Sequence, residues 1–260
     1  SSTELVGIVE NSTDSIEALA AKAKELKGSI PQAFASLDDF LRSGIRADVA
    51  FIATPHSFHC DQIVACLDAG MDVCVEKPMV ITKEEAETVI AKRDETGRLV
   101  VVAFPGSLSP GVAKAREILS GGGIGKLISV SGTVHQGWKA GTTGKWRQDP
   151  EISGGGFLFD TGSHLVNTMV DLVGSPVHSH LDNSGTPVEI NAAIAGTFEN
   201  GVAFTINGCG ESHKSCDGYA LFMGTEGILQ VGMWGHYLRQ TTGGIGHDGK
   251  WEEVPYGEGT

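Results

Sequence analysis

The sequence predicts an α/β fold in which a parallel sheet precedes a second domain with a large, mostly antiparallel open sheet. Up to about residue 104, short apolar runs alternate with amphipathic helical patterns, as expected for parallel strands joined by crossover helices. Beyond that point, the breakers Pro105 and Pro110 are followed mainly by strand patterns and turn pairs such as Asn200-Gly201. The first pattern indicates a Rossmann-like sheet whose first βα unit is missing. We therefore expect two domains, residues 1–104 and an α+β domain at residues 105–260.

The elements of the first domain follow from apolar periodicity and from the residues that interrupt it. Val73-Cys74-Val75 is a small, largely β-branched run, typical of a strand that is buried on both faces. Gly70 ends the helix before it, and Thr82-Lys83-Glu84-Glu85 opens the helix after it as a capping box. Strands are predicted near residues 5–9, 49–53, 71–75 and 99–103, and helices near residues 14–27, 36–42, 57–68 and 83–96.

The second domain begins with a helix at Ser109-Pro110, which ends at Gly121-Gly122-Gly123. Strand patterns then dominate, and one further helix is predicted near residues 163–172. The strands are predicted near residues 127–134, 188–198, 202–206, 220–223 and 228–231.

Composition limits the classes of partner and compartment. The formal net charge of -13 disfavours nucleic acid and anionic membranes, which attract basic surfaces. No apolar run approaches the roughly 20 residues that span a bilayer. The cysteines are odd in number and form no C-x-x-C pair, so we expect a reducing compartment, the cytoplasm, rather than a disulfide framework. Because the chain starts without Met and ends without a closing element, we expect a fragment at both ends.

Glu10 follows the first predicted strand and is a candidate cofactor ligand. In dinucleotide-binding sheets, an acidic residue after the second strand bonds the ribose hydroxyls and favours NAD over NADP. The alternative is a carboxylate that begins the helix at Asn11-Ser12. The glycine fingerprint expected about 20 residues upstream is absent. The G-x-G-x-x-G match at residues 244–249 is rejected, because no strand precedes it and no helix follows it, so a turn is expected there.

The stretch Thr54-Pro55-His56-Ser57-Phe58-His59 joins a strand end to a helix start. Backbone N–H groups at such a junction face phosphate or ribose groups, aided by the helix dipole. His56, His59 and Cys60 complete no ligand set with familiar spacing, so no metal site is predicted. A histidine that is interior or caps the helix is the alternative to a metal ligand.

The pair Glu76-Lys77 stands where the central strand of the first domain stops before Pro78. Ligands bind outside the carboxyl ends of the strands in parallel sheets, so Lys77 is placed to meet a ligand as a proton donor or as a charge. The alternative is a solvated ion pair at a strand end.

The glycine-rich stretch from Gly154 to His164 is the second candidate site. If Asp160 begins a helix, Asp160 and His164 lie one turn apart on one face, as general acid–base chemistry requires of a carboxylate and an imidazole. The alternative is an N-cap aspartate with a packed histidine. Upstream, Trp146-Arg147 is predicted to reach the cofactor or a substrate anion, with a surface stack as the alternative.

Three stretches in this order resemble the Gfo/Idh/MocA family, named for glucose–fructose oxidoreductase and inositol dehydrogenase. They are Ala53-Thr54-Pro55 with His59, Glu76-Lys77-Pro78, and Asp160-Thr161-Gly162-Ser163-His164. Trp146-Arg147, the glycine run at residues 154–156 and Gly123-Ile124-Gly125-Lys126 add to the resemblance, which covers nearly the whole chain.

The resemblance implies a nicotinamide-dependent dehydrogenase or reductase that acts on sugars, polyols or related carbonyl compounds. It implies a Rossmann domain and an open-sheet domain that makes homodimer or homotetramer contacts. It assigns Lys77, Asp160 and His164 to catalysis, with His164 moving the hydroxyl proton. NAD is the expected cofactor, with NADP as the alternative. The implied cofactor contacts are Glu10, Thr54, Pro55, His59, Glu76 and Lys77, and we add Trp146 and Arg147.

Two departures from the family pattern bear on function. The first strand and its glycine turn are missing, and Phe104-Pro105-Gly106-Ser107 stands where relatives often carry Asn and Arg. The alternative function is a non-catalytic relative that senses a nucleotide or ligand, although such a sensor has no need of Lys77, Asp160 and His164.

Overall fold

The computed structural model describes residues 3–25, 31–185, 187–243 and 249–257. The predicted end of the first helix at residue 28 lies outside these ranges, as does all but the last residue of the rejected glycine match. Two compact units are present. The first comprises Ser1–Ala53, His59–Val75 and Glu84–Val101, and the second comprises Thr54–Phe58, Glu76–Lys83 and Val102–Thr260.

The first unit contains two small sheets, one of two strands and one of three, and of these five strands all but the second in chain order were predicted. Strand β1 (Gly7–Val9) pairs in parallel with β2 (Gln32–Phe34), and β3 (Val49–Ile52) pairs in parallel with β4 (Asp72–Val75). Strand β5 (Val100–Val102) lies on the other side of β4. The helices between them are α1 (Thr13–Glu25), α2 (Leu37–Arg42), α3 (His59–Asp68) and α4 (Lys83–Thr96).

Segments Thr54–Phe58 and Glu76–Lys83 follow β3 and β4 in sequence but cluster with the second unit. The chain therefore passes from the first unit to the second where the apolar run of each strand stops. The boundary at residues 104 and 105 stays a prediction, whereas this exchange of short segments was not predicted.

The second unit is built on an eight-stranded sheet in the order β13-β12-β11-β10-β6-β9-β8-β7. Neighbouring strands are antiparallel except β6 and β9, which are parallel. The strands are β6 (Leu127–His135), β7 (Pro176–Ser184), β8 (Asn191–Phe198), β9 (Ala203–Cys209), β10 (Cys216–Gly224), β11 (Gly227–Gly232), β12 (Leu238–Thr242) and β13 (Glu252–Glu253). The helices are α5 (Pro110–Ser120), α6 (Trp138–Thr142), α7 (Pro150–Ser153) and α8 (Ser163–Val173). The predicted fold class is confirmed.

One face of the large sheet is apolar and covered, and the other is polar and open. Along β6, Val130 and Val134 are fully buried, and Gly132 lies between them. A Cβ atom at Gly132 would lie 2.9 Å from Leu165 Cδ2, so the missing side chain lets α8 pack closely on the sheet. The open face carries small polar residues such as Ser131, which pairs with Thr205 on β9. This alternation is the pattern of a one-sided sheet.

Several elements were not predicted. Every residue of β7, the strand at one edge of the sheet, is exposed, and its sequence lacks the apolar alternation that marks a half-buried strand. The short helices α6 and α7 and the strands β2, β12 and β13 were also missed. None of the helices in the described part of the chain is both long and apolar enough to cross a bilayer.

Candidate active site

Lys77 is the first member of the site. It follows β4, whose last residue, Val75, is fully buried, and it precedes a cis peptide bond to Pro78. Its side chain is 15% exposed, and its ammonium group donates to Asp160 Oδ1 at 2.7 Å and to the Asp160 carbonyl oxygen at 2.6 Å. Of the two readings of this lysine, a solvated strand-end charge does not fit such burial.

The glycine-rich stretch presents Asp160 on a π-helical turn, Leu158–Gly162, that leads into α8. The Glu189 carboxylate accepts hydrogen bonds from the backbone N–H of Gly156 at 2.5 Å and of Phe159 at 3.2 Å. A Cβ atom at Gly156 would lie 1.9 Å from the Glu189 carbonyl oxygen, so this position requires glycine. Glu189 therefore caps the turn that carries Asp160.

Asp160 is 6% exposed, and its carboxylate is surrounded by hydrogen-bond donors. Besides Lys77, the indole N–H of Trp138 donates to Oδ2 at 2.8 Å, and Arg147 Nε lies 3.2 Å from the same oxygen. Burial pushes the pKa of Asp160 upward, but the charge and hydrogen bond of Lys77, the Trp138 hydrogen bond and the Arg147 charge outweigh it and hold the pKa below its usual value. The carboxylate is therefore ionised at neutral pH.

His164, one turn further along, has a different environment. It is 6% exposed, the edge of Phe104 packs on it at a centroid distance of 5.5 Å, and the Trp234 ring lies 4.3 Å away. Its buried Nδ1 has no hydrogen-bond partner among the described residues. Burial, followed by the Lys77 charge, lowers the pKa of His164 to about 4, against the opposing effect of Asp160. The imidazole is therefore neutral at physiological pH and has a lone pair to accept a proton.

His56 also belongs to this cluster, although the sequence singled it out only as a rejected metal ligand. It is 3% exposed, and its Nδ1 lies 2.8 Å from the Ser153 carbonyl oxygen. Because a carbonyl only accepts, Nδ1 carries the proton. Nε2 faces Asp160 Oδ1 at 4.0 Å, and the Trp146 ring packs edge-on at 4.7 Å.

The predicted cofactor positions divide between the units. Thr54, Pro55, Glu76, Trp146 and Arg147 all belong to the second unit with Lys77, and the first three are half-buried. The Arg147 guanidinium lies 4.2 Å from the centroid of the Trp146 ring, so the predicted stack exists together with the ion pair to Asp160.

Glu10 and His59 belong to the first unit. Glu10 Oε1 accepts from the Ser12 N–H at 2.8 Å, the contact expected of a carboxylate that begins a helix. His59 is fully buried at the start of α3, as expected of an interior histidine. Their roles in cofactor binding stay predictions. No group of three or more His, Cys, Asp or Glu residues in the described part of the chain could hold a metal ion.

Two family models match most of the chain between them. A model described as an oxidoreductase family with an NAD-binding Rossmann fold matches residues 1–104, and a Gfo/Idh/MocA C-terminal domain model matches residues 112–230. The chain belongs to the Gfo/Idh/MocA family. The predicted resemblance is confirmed.

Individual Gfo/Idh/MocA relatives match parts of the chain. A levoglucosan dehydrogenase from Pseudarthrobacter phenanthrenivorans is 33% identical over 128 residues, which are 48% of this chain and 33% of the relative. The scyllo-inositol 2-dehydrogenase (NADP(+)) of Bacillus subtilis is 26% identical over 159 residues, 61% of this chain and 44% of the relative. The matched part of the chain thus spans less than half of the length of each of these two relatives.

Solved structures share the fold. The complex of levoglucosan dehydrogenase with NADH and levoglucosan superposes with a TM-score of 0.83 over 97% of this chain and 70% of that chain, at 23% sequence identity. At this identity the superposition establishes the fold.

Sequence reasoning missed Trp138, Trp234 and the position of His56. His56 lies within a motif that was examined, and Phe104 was noted as a departure from the family. Trp138 and Trp234 belong to no recognised motif, and only the approach of distant segments reveals them.

Proposed function

We propose that the protein is an NAD(P)-dependent oxidoreductase that transfers a hydride between nicotinamide and a sugar, polyol or related hydroxy or carbonyl compound. The observation that carries this proposal is the buried Lys77–Asp160 ion pair one helical turn from a neutral His164. These are the groups needed to bind a substrate hydroxyl oxygen and to move its proton while hydride leaves the carbon that bears this oxygen.

The proton-handling groups have distinct roles. When bound, the nicotinamide supplies the hydride acceptor, and the donor set fits that chemistry because it can neutralise charge on a substrate oxygen. His164 accepts the hydroxyl proton at an unprotonated nitrogen. Lys77 donates a hydrogen bond to the same oxygen, and Asp160 orients the Lys77 ammonium group through its own hydrogen bond. Trp138 and Arg147 hold Asp160 in turn.

The cofactor and substrate classes rest on separate observations. Glu10 follows β1 and favours NAD, because a 2′-phosphate would meet like charge. The relatives named for levoglucosan and scyllo-inositol support a cyclic polyhydroxy substrate.

We also propose that the protein works in the cytoplasm as a homodimer or homotetramer. The cysteines of the described chain are all free thiols, which supports a reducing compartment. The open face of the large sheet, with small side chains on β6, β8 and β9, suits contact with a second copy. Light scattering after size exclusion measures this assembly.

The test is a steady-state assay of the full-length protein with NAD and NADP against a panel of sugars and cyclic polyols. We expect turnover, and we expect Lys77→Ala to lower kcat by about 100-fold or more. Lys114→Ala, which removes an exposed lysine paired with Glu117, is the matched control. Cofactor binding without turnover on any substrate would favour the sensor, and unchanged kcat in Lys77→Ala would overturn the assigned site.

A further inference from the structure

Trp234 is an exposed aromatic residue in a turn that also contains the buried residues Met233 and Gly235. It lies between β11 and β12 and is 37% exposed, whereas Met233 is 1% exposed and Leu238 is fully buried. Large aromatic side chains that serve only as packing are usually more buried than this. One part of the indole packs on His164 at a centroid distance of 4.3 Å, and the remainder faces solvent.

The turn that carries Trp234 is held firmly. The Met233 N–H donates to the Gly218 carbonyl at 2.7 Å, and the Gly235 N–H donates to the Gly232 carbonyl at 2.8 Å. Gly235 has a φ of +67°, a conformation that favours glycine.

Segment 104–111, where the family pattern changes, packs directly against this turn. A Cβ atom at Gly106 would lie 2.3 Å from the Met233 carbonyl oxygen, and one at Gly111 would lie 2.2 Å from the Gly235 carbonyl oxygen. The same segment supplies Phe104, whose ring is the second aromatic neighbour of His164, at a centroid distance of 5.5 Å. The glycines therefore let this segment fix Trp234 and His164 together.

We propose that Trp234 is the platform on which the substrate ring stacks, and that it selects a cyclic sugar or cyclitol over an open-chain polyol. This rests on the proposed function and deepens it. A pyranose or cyclitol ring presents an apolar C–H face and a polar rim. The indole meets the C–H face, while the rim hydroxyls meet His164 and Lys77.

Preorganisation explains why the preference is for a ring. A rigid platform loses little side-chain entropy when a ligand binds, and a rigid ring loses little of its own. An open-chain polyol must order several torsions to present one apolar face, so it gains less from the same indole. Aromatic residues combined with a few converging polar groups are typical of small-molecule sites.

The experiment compares Trp234→Ala and Trp234→Phe in the full-length protein, with scyllo-inositol and levoglucosan as cyclic substrates and xylitol as the open-chain one. With Trp234→Ala we expect kcat/KM for the cyclic substrates to fall about 10- to 100-fold, mainly through KM, and kcat/KM for xylitol to change by less than about 3-fold. Trp234→Phe should keep the parental value within about 5-fold, because a smaller aromatic face remains. Trp251→Ala, at an exposed tryptophan outside the site, should behave as the parent.

Other results would overturn the platform. Equal losses for cyclic and open-chain substrates in a folded Trp234→Ala variant would mean that the ring is not selected there. A raised KM for the cofactor with an unchanged substrate KM would assign Trp234 to the nicotinamide instead.

If the parent turns over none of these compounds, the proposed function fails. The role of Trp234 as a platform is then tested by measuring ligand binding. Calorimetric titration with scyllo-inositol would then support it only if the parent binds and Trp234→Ala does not. Equal binding by both, or no binding by the parent, would reject it.

Discussion

Asp160 and His164 lie one helical turn apart, yet their surroundings have opposite chemistry. Asp160 accepts hydrogen bonds or ion pairs from Lys77, Trp138 and Arg147. His164 is flanked by Phe104 and Trp234 and keeps an unpartnered buried Nδ1. The pKa of each is lowered, but by different causes.

The two lowered pKa values have opposite consequences for charge. Donors and positive charges stabilise the ionised form of Asp160, whereas burial among aromatic rings destabilises the ionised form of His164. The π-helical turn and the start of α8 thus carry an anion and a neutral base at the same pH, which is how paired titratable groups acquire separate roles. The contrast depends on side chains from other elements, such as Lys77 and Trp138 at Asp160 and Trp234 at His164. Substitutions at Asp160, at His164 or at these neighbours can therefore test it.

The largest effect is expected from removing the anion. Asp160→Ala leaves the buried Lys77 ammonium without its carboxylate and the Trp138 N–H without its acceptor, so we expect the free energy of unfolding to fall by about 3–5 kcal/mol. Urea denaturation at pH 7 measures this. Asp94→Ala, which removes an exposed carboxylate on α4, should change stability by less than about 0.5 kcal/mol. A loss as small as that of the control would show that the ion pair contributes little.

The next effect is a loss of stability in acid caused by His164. Its pKa is about 4 in the folded protein and 6.5 ordinarily, so between these values the unfolded chain binds a proton that the folded chain does not. Its contribution to stability is present in full above pH 6.5 and declines by roughly 3 kcal/mol as the pH falls to 4.

Urea melts between pH 7 and pH 4 test this loss. His164→Gln should flatten the dependence of unfolding free energy on pH, while His213→Gln, at an exposed histidine, should leave it unchanged. Identical slopes for the two variants would mean that the His164 environment does not favour the neutral ring.

The smallest effect separates the donors around Asp160. Trp138→Phe keeps most of the buried ring but removes the N–H that bonds Oδ2, while Lys77 and Arg147 remain. We expect a loss of about 1–2 kcal/mol, since a hydrogen bond to a charged group is stronger than a neutral one. Trp251→Phe is the control, and denaturation of both variants at pH 7 is the measurement. No difference between them would mean that Lys77 and Arg147 alone hold the carboxylate.

Much of the fold was predictable because it is local. Helix α4 was predicted with its observed bounds, since the capping box at Thr82 and the glycine at Gly97 mark its ends. Strand β7 was not, because an exposed edge strand carries no apolar alternation. The spacing of Asp160 and His164 was likewise predictable from helical periodicity, although the π-helical turn that carries Asp160 was not.

By itself, the sequence determined the positions of strands β3, β4 and β5, the family and the residue types at Lys77, Asp160 and His164, because each depends on neighbours within about one turn or one strand. Only the tertiary structure decided that His56 faces Asp160, that Trp138 bonds it and that Trp234 packs on His164. Each of these contacts joins residues that are at least 22 positions apart in the chain. Their partners are chosen by how the elements pack, which no local pattern records.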